Sequence, residues 1–305
     1  MSWFIEKAKT QTELASAFRE RMTAGPILVL PGVYDGLSAL LARQAGFIQG
    51  LYLSGAALSA SQGLPDLGII ESEEVSRRAR EVIRASQVPL LVDIDTGYGG
   101  VLNVARAVSE MVEAGVAAVQ LEDQEMPKKC GHLSGKRLVS AAEMCQKIEM
   151  IRRIAPDLVV VARTDARSVE GMDAAIERAR QYQSAGAEAI FVEALESREE
   201  FALAAEKISA PLLANMTEFG RTPYLSVDQF TDLGYRLVIF PVTALRVAAL
   251  AMGELYQTLK QAGSQKDWID RMQTRRQLYD LLGYEHYEAL DRDIAQSVLP
   301  PDGGD

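Results

Sequence analysis

The stretch Pro89-Leu90-Leu91-Val92-Asp93-Ile94-Asp95-Thr96-Gly97, then the helical spacing of Leu102–Glu113, Gly115, and Ala117-Ala118-Val119-Gln120-Leu121-Glu122-Asp123-Gln124, decides the fold. Both apolar runs are continuous rather than alternating, as in parallel strands buried on both faces. Gly115 closes the helical segment just before the second run, where a glycine caps a helix in left-handed backbone. Both runs stop at carboxylates. The unit is strand, helix, strand, with charge at the carboxyl end of each strand.

Outward from this unit the rhythm recurs. Ile27–Leu30, Gly50–Leu53, Pro89–Ile94, Ala117–Leu121, Leu158–Ala162, Ala189–Val192, Pro211–Ala214 and Leu237–Phe240 read as eight strands. Glu73–Ala85, Leu102–Glu113, Ala141–Ile154, Met172–Ala185, Arg198–Ile208 and Val227–Leu233 read as helices between them, and Gly186 and Gly234 repeat the cap of Gly115. Glu6–Thr23 is an amphipathic helix ahead of the first strand, with Leu14, Phe18 and Met22 at spacing four. Eight alternations predict an α/β fold, a (β/α)8 TIM barrel. A doubly wound sheet more often carries a glycine fingerprint after its first strand, and Pro31-Gly32-Val33-Tyr34-Asp35-Gly36 lacks it.

After the eighth strand come Ala244–Lys260, Gln265–Leu282 and Glu285–Ala295, helical in pattern, with breaks at Gly263 and Gly283. The expected organisation is one barrel domain over 1–305, with an N-terminal helix and a C-terminal helical annex at about 244–299. The annex either packs on another subunit or covers the bottom of its own barrel. The tail Pro300–Asp305 reads as frayed.

Bulk properties exclude several classes. Lys+Arg 32 against Asp+Glu 42 leaves a net charge of −10, which favours neither nucleic acid nor an anionic membrane. No run approaches the roughly 18–20 apolar residues of a membrane span, and Met1–Lys7 lacks the form of a signal peptide. Two cysteines suggest a reducing compartment, so a cytoplasmic location is expected.

In such barrels the active site lies at the carboxyl ends of the strands, and polar residues gather there. The strand ends carry Tyr52-Leu53-Ser54-Gly55-Ala56, Asp93-Ile94-Asp95, Glu122-Asp123-Gln124, Arg163-Thr164-Asp165, Glu193, Asn215-Met216-Thr217-Glu218 and Pro241-Val242-Thr243, with Arg246 beyond. Asp93 and Asp95, two apart on a strand, point to one side and repel unless something positive lies between them. Mg2+ suits them, since it takes oxygen ligands and needs only one or two carboxylates from the protein. Glu122 is a third oxygen, direct or through water. Backbone N–H groups and arginines are the alternative partners. No Cys/His cluster has zinc spacing. Arg163 and Arg246 carry forks that match a carboxylate. Facing a cation they describe a di- or tricarboxylate substrate; otherwise each neutralises a carboxylate of the protein. Asn215 and Thr217 fall on one side of strand seven and either donate to the substrate or cap a turn.

Beyond strand four, Pro127-Lys128-Lys129-Cys130-Gly131-His132 sets a cysteine among cations. Cations lower a thiol pKa, and glycine lets backbone approach a ligand. The loop is either chemistry at a strand end or a solvated basic loop with an incidental thiol. Other features read as structural. Gly97-Tyr98-Gly99-Gly100 lacks the third glycine of a dinucleotide loop, Cys145 and Arg152-Arg153 belong to a helix, and His286 lies in the annex.

Taken together, Tyr52-Leu53-Ser54-Gly55, Asp93-Ile94-Asp95-Thr96-Gly97, Leu121-Glu122-Asp123-Gln124, Lys128-Lys129-Cys130-Gly131-His132, Ala162-Arg163-Thr164-Asp165 and Asn215-Met216-Thr217 resemble the isocitrate lyase/phosphoenolpyruvate mutase superfamily, over about Trp3 to Leu299. The short chain and the run Val92–Lys136 are most similar to its bacterial members that cleave methylisocitrate in propionate catabolism. The resemblance implies a barrel whose last helix is swapped with a neighbour, in a homotetramer. It implies Mg2+-dependent (Mn2+ as substitute) retro-aldol cleavage of (2S,3R)-2-methylisocitrate to pyruvate and succinate. Asp93 and Asp95 then anchor the metal and Cys130 is the catalytic cysteine. Ser54, Gly55 and Ala56 form a substrate loop. Gly131, Arg163, Glu193, Asn215, Met216, Thr217, Arg246 and Arg275 fall on substrate-contacting positions.

On that chemistry Cys130, as a neutral thiol, protonates the succinate carbanion. Lys128 and His132 help bind the anion and exclude water. The base for the substrate hydroxyl is Tyr52 or a metal-bound water near Glu122. Phe191 is placed to pack on the extra methyl group. One methyl is worth about 1–3 kcal/mol of discrimination, so dimethylmalate and isocitrate stay open as substrates. A phosphonomutase, a decarboxylase and a non-catalytic carboxylate-binding barrel are the further readings.

Overall fold

The computed structural model describes residues 7–129, 131, 133 and 135–297, the side chains of 294–297 excepted. Eight parallel strands close into a barrel in chain order: β1 Leu28–Val33, β2 Leu51–Leu53, β3 Leu90–Asp93, β4 Ala118–Glu122, β5 Val159–Thr164, β6 Ala189–Val192, β7 Leu212–Asn215 and β8 Leu237–Phe240, with β8 returning to β1. The helices are α1 Gln11–Ala24, α2 Gly36–Gln44, α3 Gly55–Ser61, α4 Ser72–Ser86, α5 Val101–Ala114, α6 Ala141–Ile154, α7 Met172–Ser184, α8 Arg198–Lys207, α9 Val227–Asp232, α10 Thr243–Ala262, α11 Arg275–Leu282 and α12 Tyr284–Ser297. The expected TIM barrel is therefore the observed fold, and β6 and β8 have the expected bounds.

The strands are buried almost throughout, which is why they read as unbroken apolar runs. Gly115 caps α5 in left-handed backbone, at φ 89°. The N-terminal helix starts at Gln11 rather than Glu6, because Thr10 and Glu13 form a capping box there. Its apolar face, Leu14, Ala15, Phe18 and Met22, is fully buried. Gln11 donates to the Val116 carbonyl, Arg19 pairs with Glu188, and Arg236 donates to the Met22 carbonyl. Those partners immediately precede β4, β6 and β8, so α1 lies across the amino-terminal ends of the strands. The bottom of the barrel is closed by this helix, which leaves the opposite end for the site.

The chain divides into two compact units, Lys9–Ala248 and one that begins at Ala249. The second unit holds the end of α10, a 3-10 turn at Lys266–Arg271, α11 and α12. The expected helix Gln265–Leu282 is interrupted: Thr274 accepts from Gln277 N and restarts the helix at Arg275. Trp268 donates to Thr258, and the Arg271 guanidinium lies 3.9 Å from the Trp268 ring centre. None of α10 and α11 is buried, and Leu250, Tyr256, Ile269 and Leu282 are exposed. No helix among the described residues is long and apolar enough to cross a membrane.

Candidate active site

The carboxyl ends of the strands bring charges of both signs into one small space. Tyr52, Ser54, Ala56, Asp66, Asp93, Lys128, Lys129, Gly131, Arg163, Phe191, Glu193, Asn215 and Thr217 line a cavity of about 70 Å3, closed off by Ile239, Pro241 and Val242.

The carboxylate half is built from β3 and its neighbours. β3 ends at Asp93. Asp95 lies beyond the strand in left-handed backbone, φ 48°, so strand alternation is not what brings the two together. A turn does: Asp93 Oδ1 accepts from Asp95 N at 3.2 Å. Asp93 Oδ2 accepts from Gly55 N, the first N–H of α3, at 3.3 Å. The predicted substrate loop Ser54-Gly55-Ala56 is thus the cap and opening turn of a helix aimed at this pair. A Cβ at Gly55 would lie 3.1 Å from Asp95 Oδ1 and 3.4 Å from Asp93 Oδ2, so a side chain there would press on the two carboxylates.

Burial, reinforced by the charge of Asp93, pushes the Asp95 carboxyl up to about 6. Lys128 opposes this: its ammonium lies 2.7 Å from Asp95 Oδ1 and also pairs with Asp66. The Lys128 ammonium itself is raised: burial works against its charge, and Asp95, Glu122, Asp93 and Asp66 overcome burial. Mg2+ fits these residues as a donor set. Two buried carboxylates repel, and a cation between them would bring the Asp95 carboxyl back down toward its ordinary range. Glu122 does not complete a triad. Among the described residues no three acidic, histidine or cysteine side chains are close enough to hold an ion. The Glu122 carboxylate turns instead to Arg163, Oε2 to Nη1 at 3.2 Å, and its Oε1 is buried with no hydrogen-bond partner. Asp93 and Asp95 are the residues that could hold the metal, the other positions falling to water or substrate.

The cationic half centres on Arg163 in β5. Its guanidinium takes Asp165 bidentately at 3.0 and 3.2 Å, Glu122 at 3.2 Å and Glu193 at 3.4 Å, and lies 5.3 Å from the Phe191 ring centre. Phe191, in β6, and Glu193, just past its end, thus both face Arg163. The fork of Arg163 is committed to protein carboxylates, the alternative that its sequence position left open. Asp165 is held below its ordinary pKa: burial works against its charge, and Arg163 and Lys136 outweigh it. Buried Lys136 also donates to the carbonyl of Gly131.

The loop after β4 is pinned on both sides of position 130. Gln124 accepts from Lys129 N and donates to Lys129 O, each at 2.9 Å. Cys130 and His132 themselves lie outside the described residues. A Cβ at Gly131 would stand 2.6 Å from Arg163 Nη2 and 2.7 Å from Glu193 Cδ. Gly131→Ala is therefore expected to push the loop off the Arg163–Glu193 pair. A displacement of this kind costs about 10²-fold in kcat/KM, measured by steady-state turnover with the melting temperature little changed.

The remaining expectations divide. Asn215 donates to Glu193 at 3.4 Å and presents a buried, unpartnered Oδ1, and Thr217 lines the cavity with it. Met216 is buried and does not line the cavity; its sulfur accepts from Leu225 N at 3.4 Å. β7 ends at Asn215, so it is the turn beyond the strand that carries Met216 away from the cavity and Thr217 into its wall. Arg246 is half-exposed and outside the cavity wall, 3.5 Å from Glu218 and 5.2 Å from the Phe219 ring centre. Arg275 belongs to the second unit, exposed at the start of α11.

Tyr52 does not have the environment of a base. Burial, with Asp93 adding to it, pushes its hydroxyl well above the ordinary value, and it donates to Gln120 at 3.1 Å. Three residues that strand-end reasoning missed are part of this site. Asp66 lies in the loop after α3, Lys136 lies past the cysteine loop, and Gln120 is hidden inside an apolar run. A lysine five residues after Gly131 was the visible signal for the second; the other two left none.

The sequence profile of the phosphoenolpyruvate phosphomutase family matches residues 18–260. The chain is 58% identical over 300 residues to 2-methylisocitrate lyase of Bacillus subtilis (strain 168), a match covering 98% of this chain and 99% of that one. Among solved structures, 2,3-dimethylmalate lyase superposes with a TM-score of 0.85 at 36% identity, covering 97% of this chain and 99% of that one. Oxaloacetate acetylhydrolase bound to 3,3-difluorooxalacetate superposes with a TM-score of 0.86 at 34% identity, covering 94% and 99%.

Proposed function

Because the chain belongs to the phosphoenolpyruvate phosphomutase family, we propose that it is a lyase cleaving 2-methylisocitrate to pyruvate and succinate. The full-length similarity to a 2-methylisocitrate lyase carries the substrate. The rim supports the chemistry. Asp93 and Asp95 would hold Mg2+ (Mn2+ as substitute), which when bound would supply Lewis-acid polarisation of a substrate oxygen. Ser54, Lys129, Asn215 and Thr217 offer donors to the substrate's carboxylates from the cavity wall. Arg163 and Lys128, each held by carboxylates, stabilise the charge that builds on the succinate half. The substrate hydroxyl passes its proton through a water to the Glu122 carboxylate, whose proton affinity burial raises well above the ordinary value against the pull of Arg163. The carbon–carbon bond breaks, its electron pair moves into the succinate half, and the Cys130 thiol delivers the proton to carbon. Phe191 packs on the substrate's methyl group.

The same reading places the enzyme in the cytoplasm, in propionate catabolism by way of the methylcitrate cycle. It also places the annex in a homotetramer with exchanged helices. The exposed apolar residues of the second unit support that assembly.

The function is tested by giving the purified protein Mg2+ with methylisocitrate, 2,3-dimethylmalate and isocitrate side by side. Pyruvate and succinate from methylisocitrate are expected fastest, and EDTA is expected to abolish turnover. Faster cleavage of either other acid overturns the substrate.

A further inference from the structure

Gln120 sits within the apolar run of β4, fully buried, and does not line the cavity. An amide in a barrel wall is unfavourable unless both of its ends are hydrogen-bonded. Both are. Oε1 accepts from the Tyr52 hydroxyl at 3.1 Å, and Nε2 donates to Asp93 Oδ1 at 3.3 Å. The amide has one workable orientation. Turned over, its oxygen would face a carboxylate oxygen of Asp93, and its NH2 would face the hydroxyl. Asp93 therefore sets the amide, and the amide sets the direction of the Tyr52 O–H.

Two groups of the cavity wall are thus tied through a residue that touches neither cavity nor solvent. Asp93 accepts from Gly55 N, Asp95 N and Gln120 Nε2, and of these three only Gln120 is a side chain. The Tyr52 proton points into the wall, so the hydroxyl oxygen is left to accept from whatever fills the cavity.

We propose that Gln120 is a positioning residue. It aligns the Asp93 carboxylate for the divalent cation and holds the Tyr52 hydroxyl as an acceptor toward the substrate. The inference rests on the reading of this rim as a cation-dependent lyase. It adds that the inner face of β4, and not only its charged end, sets the catalytic geometry. Carboxylates that bind metal are themselves held by outer hydrogen bonds, and loss of those costs about 10–100-fold in metal affinity or activity.

The test uses the full chain and two readouts. The first is Mg2+ affinity by calorimetry without substrate. Gln120→Met, which fills the space but makes neither bond, is expected to weaken Mg2+ binding about tenfold and to lower kcat by a similar factor. The second readout is a double-mutant cycle with Tyr52→Phe, which removes the Tyr52 half of the path and leaves the Asp93 half. Tyr52→Phe should bind Mg2+ as the native chain does, and Gln120→Met should lower kcat less in that background than in the native one. Should Gln120→Met not fold, Gln120→Asn keeps the amide and shortens its reach, with the same expected directions.

Mg2+ affinity within about twofold of the native value overturns the proposal. An equal drop in kcat in both backgrounds overturns the link to Tyr52, since the two residues then share no path. No Mg2+ binding by the native chain overturns it together with the cation itself. Preference for another acid substrate would fail the functional reading while leaving the calorimetric result standing.

Discussion

Cys130→Ser is expected to lower kcat by about 10²–10⁴-fold, the contribution of a positioned general acid, with KM and thermal stability nearly unchanged. The reason is proton affinity rather than size. A thiol with an ordinary pKa near about 8.5 gives its proton to a carbanion readily, whereas a serine hydroxyl holds its proton far more tightly. The chain on either side of this position is fixed. Lys129 is gripped at both N–H and carbonyl by Gln124, and the Gly131 carbonyl takes a hydrogen bond from Lys136. Those anchors lie just past β4, at Gln124, and just past β5, where Lys136 pairs with Asp165, so the substitution is expected to change chemistry and leave the neighbouring backbone in place. Progress curves with methylisocitrate, followed for both pyruvate and succinate, read the effect. Turnover near the native rate would remove Cys130 from the proton transfer and return the cationic loop to a binding role only.

The barrel was legible because parallel strands covered on both faces leave unbroken apolar runs, and the runs of β3, β4, β5 and β6 stop at charged residues. α2 and α3 were not legible. α3, Gly55–Ser61, is glycine, alanine, leucine and serine, with no polar face to give it period. The same physics hid part of the site. Asp93, Arg163, Glu193 and Asn215 stand where runs end, and the structure brings them together. Asp66 reaches Lys128 from a loop that follows a helix, where no strand end marks it. Gln120 lies inside a run whose other members are apolar, so nothing in the pattern separates it from the core. Asp95 was grouped with Asp93 correctly but for a reason the backbone does not support, since β3 has ended before it. Distances along a chain identify which residues share an end of the barrel. They do not say which protein carboxylates an arginine there meets: Arg163 lies among three and Arg246 lies 3.5 Å from Glu218.

Arg163→Met is expected to destabilise the fold by about 3–5 kcal/mol, the usual result of removing one partner from a buried ion cluster. The Arg163 side chain is 10% exposed, and Glu122, Asp165 and Glu193 around it are at 1%, 0% and 2%. Methionine matches the volume of the stem but leaves the three carboxylates facing one another. Lys136 compensates only Asp165, 2.7 Å away. Glu122, already raised well above its ordinary pKa by burial with Arg163 as the chief opposing charge, is then expected to take up a proton, which also removes the site of proton uptake from the reaction.

Arg163→Lys separates charge from shape. It restores one positive charge, but a single ammonium cannot take Asp165 bidentately while reaching Glu122 and Glu193. Much of the stability is expected to return with it, and little of the activity. Urea unfolding midpoints and kcat/KM for both variants decide this, with Arg106→Met as reference. Arg106 pairs with Glu110 at 2.8 Å on the surface of α5, 74% exposed, and its loss is expected to be hardly measurable. If Arg163→Met proves no more costly than that surface pair, the carboxylates at the ends of β4, β5 and β6 are solvated or protonated without it. The cationic centre of the site would then have to be sought at Lys128.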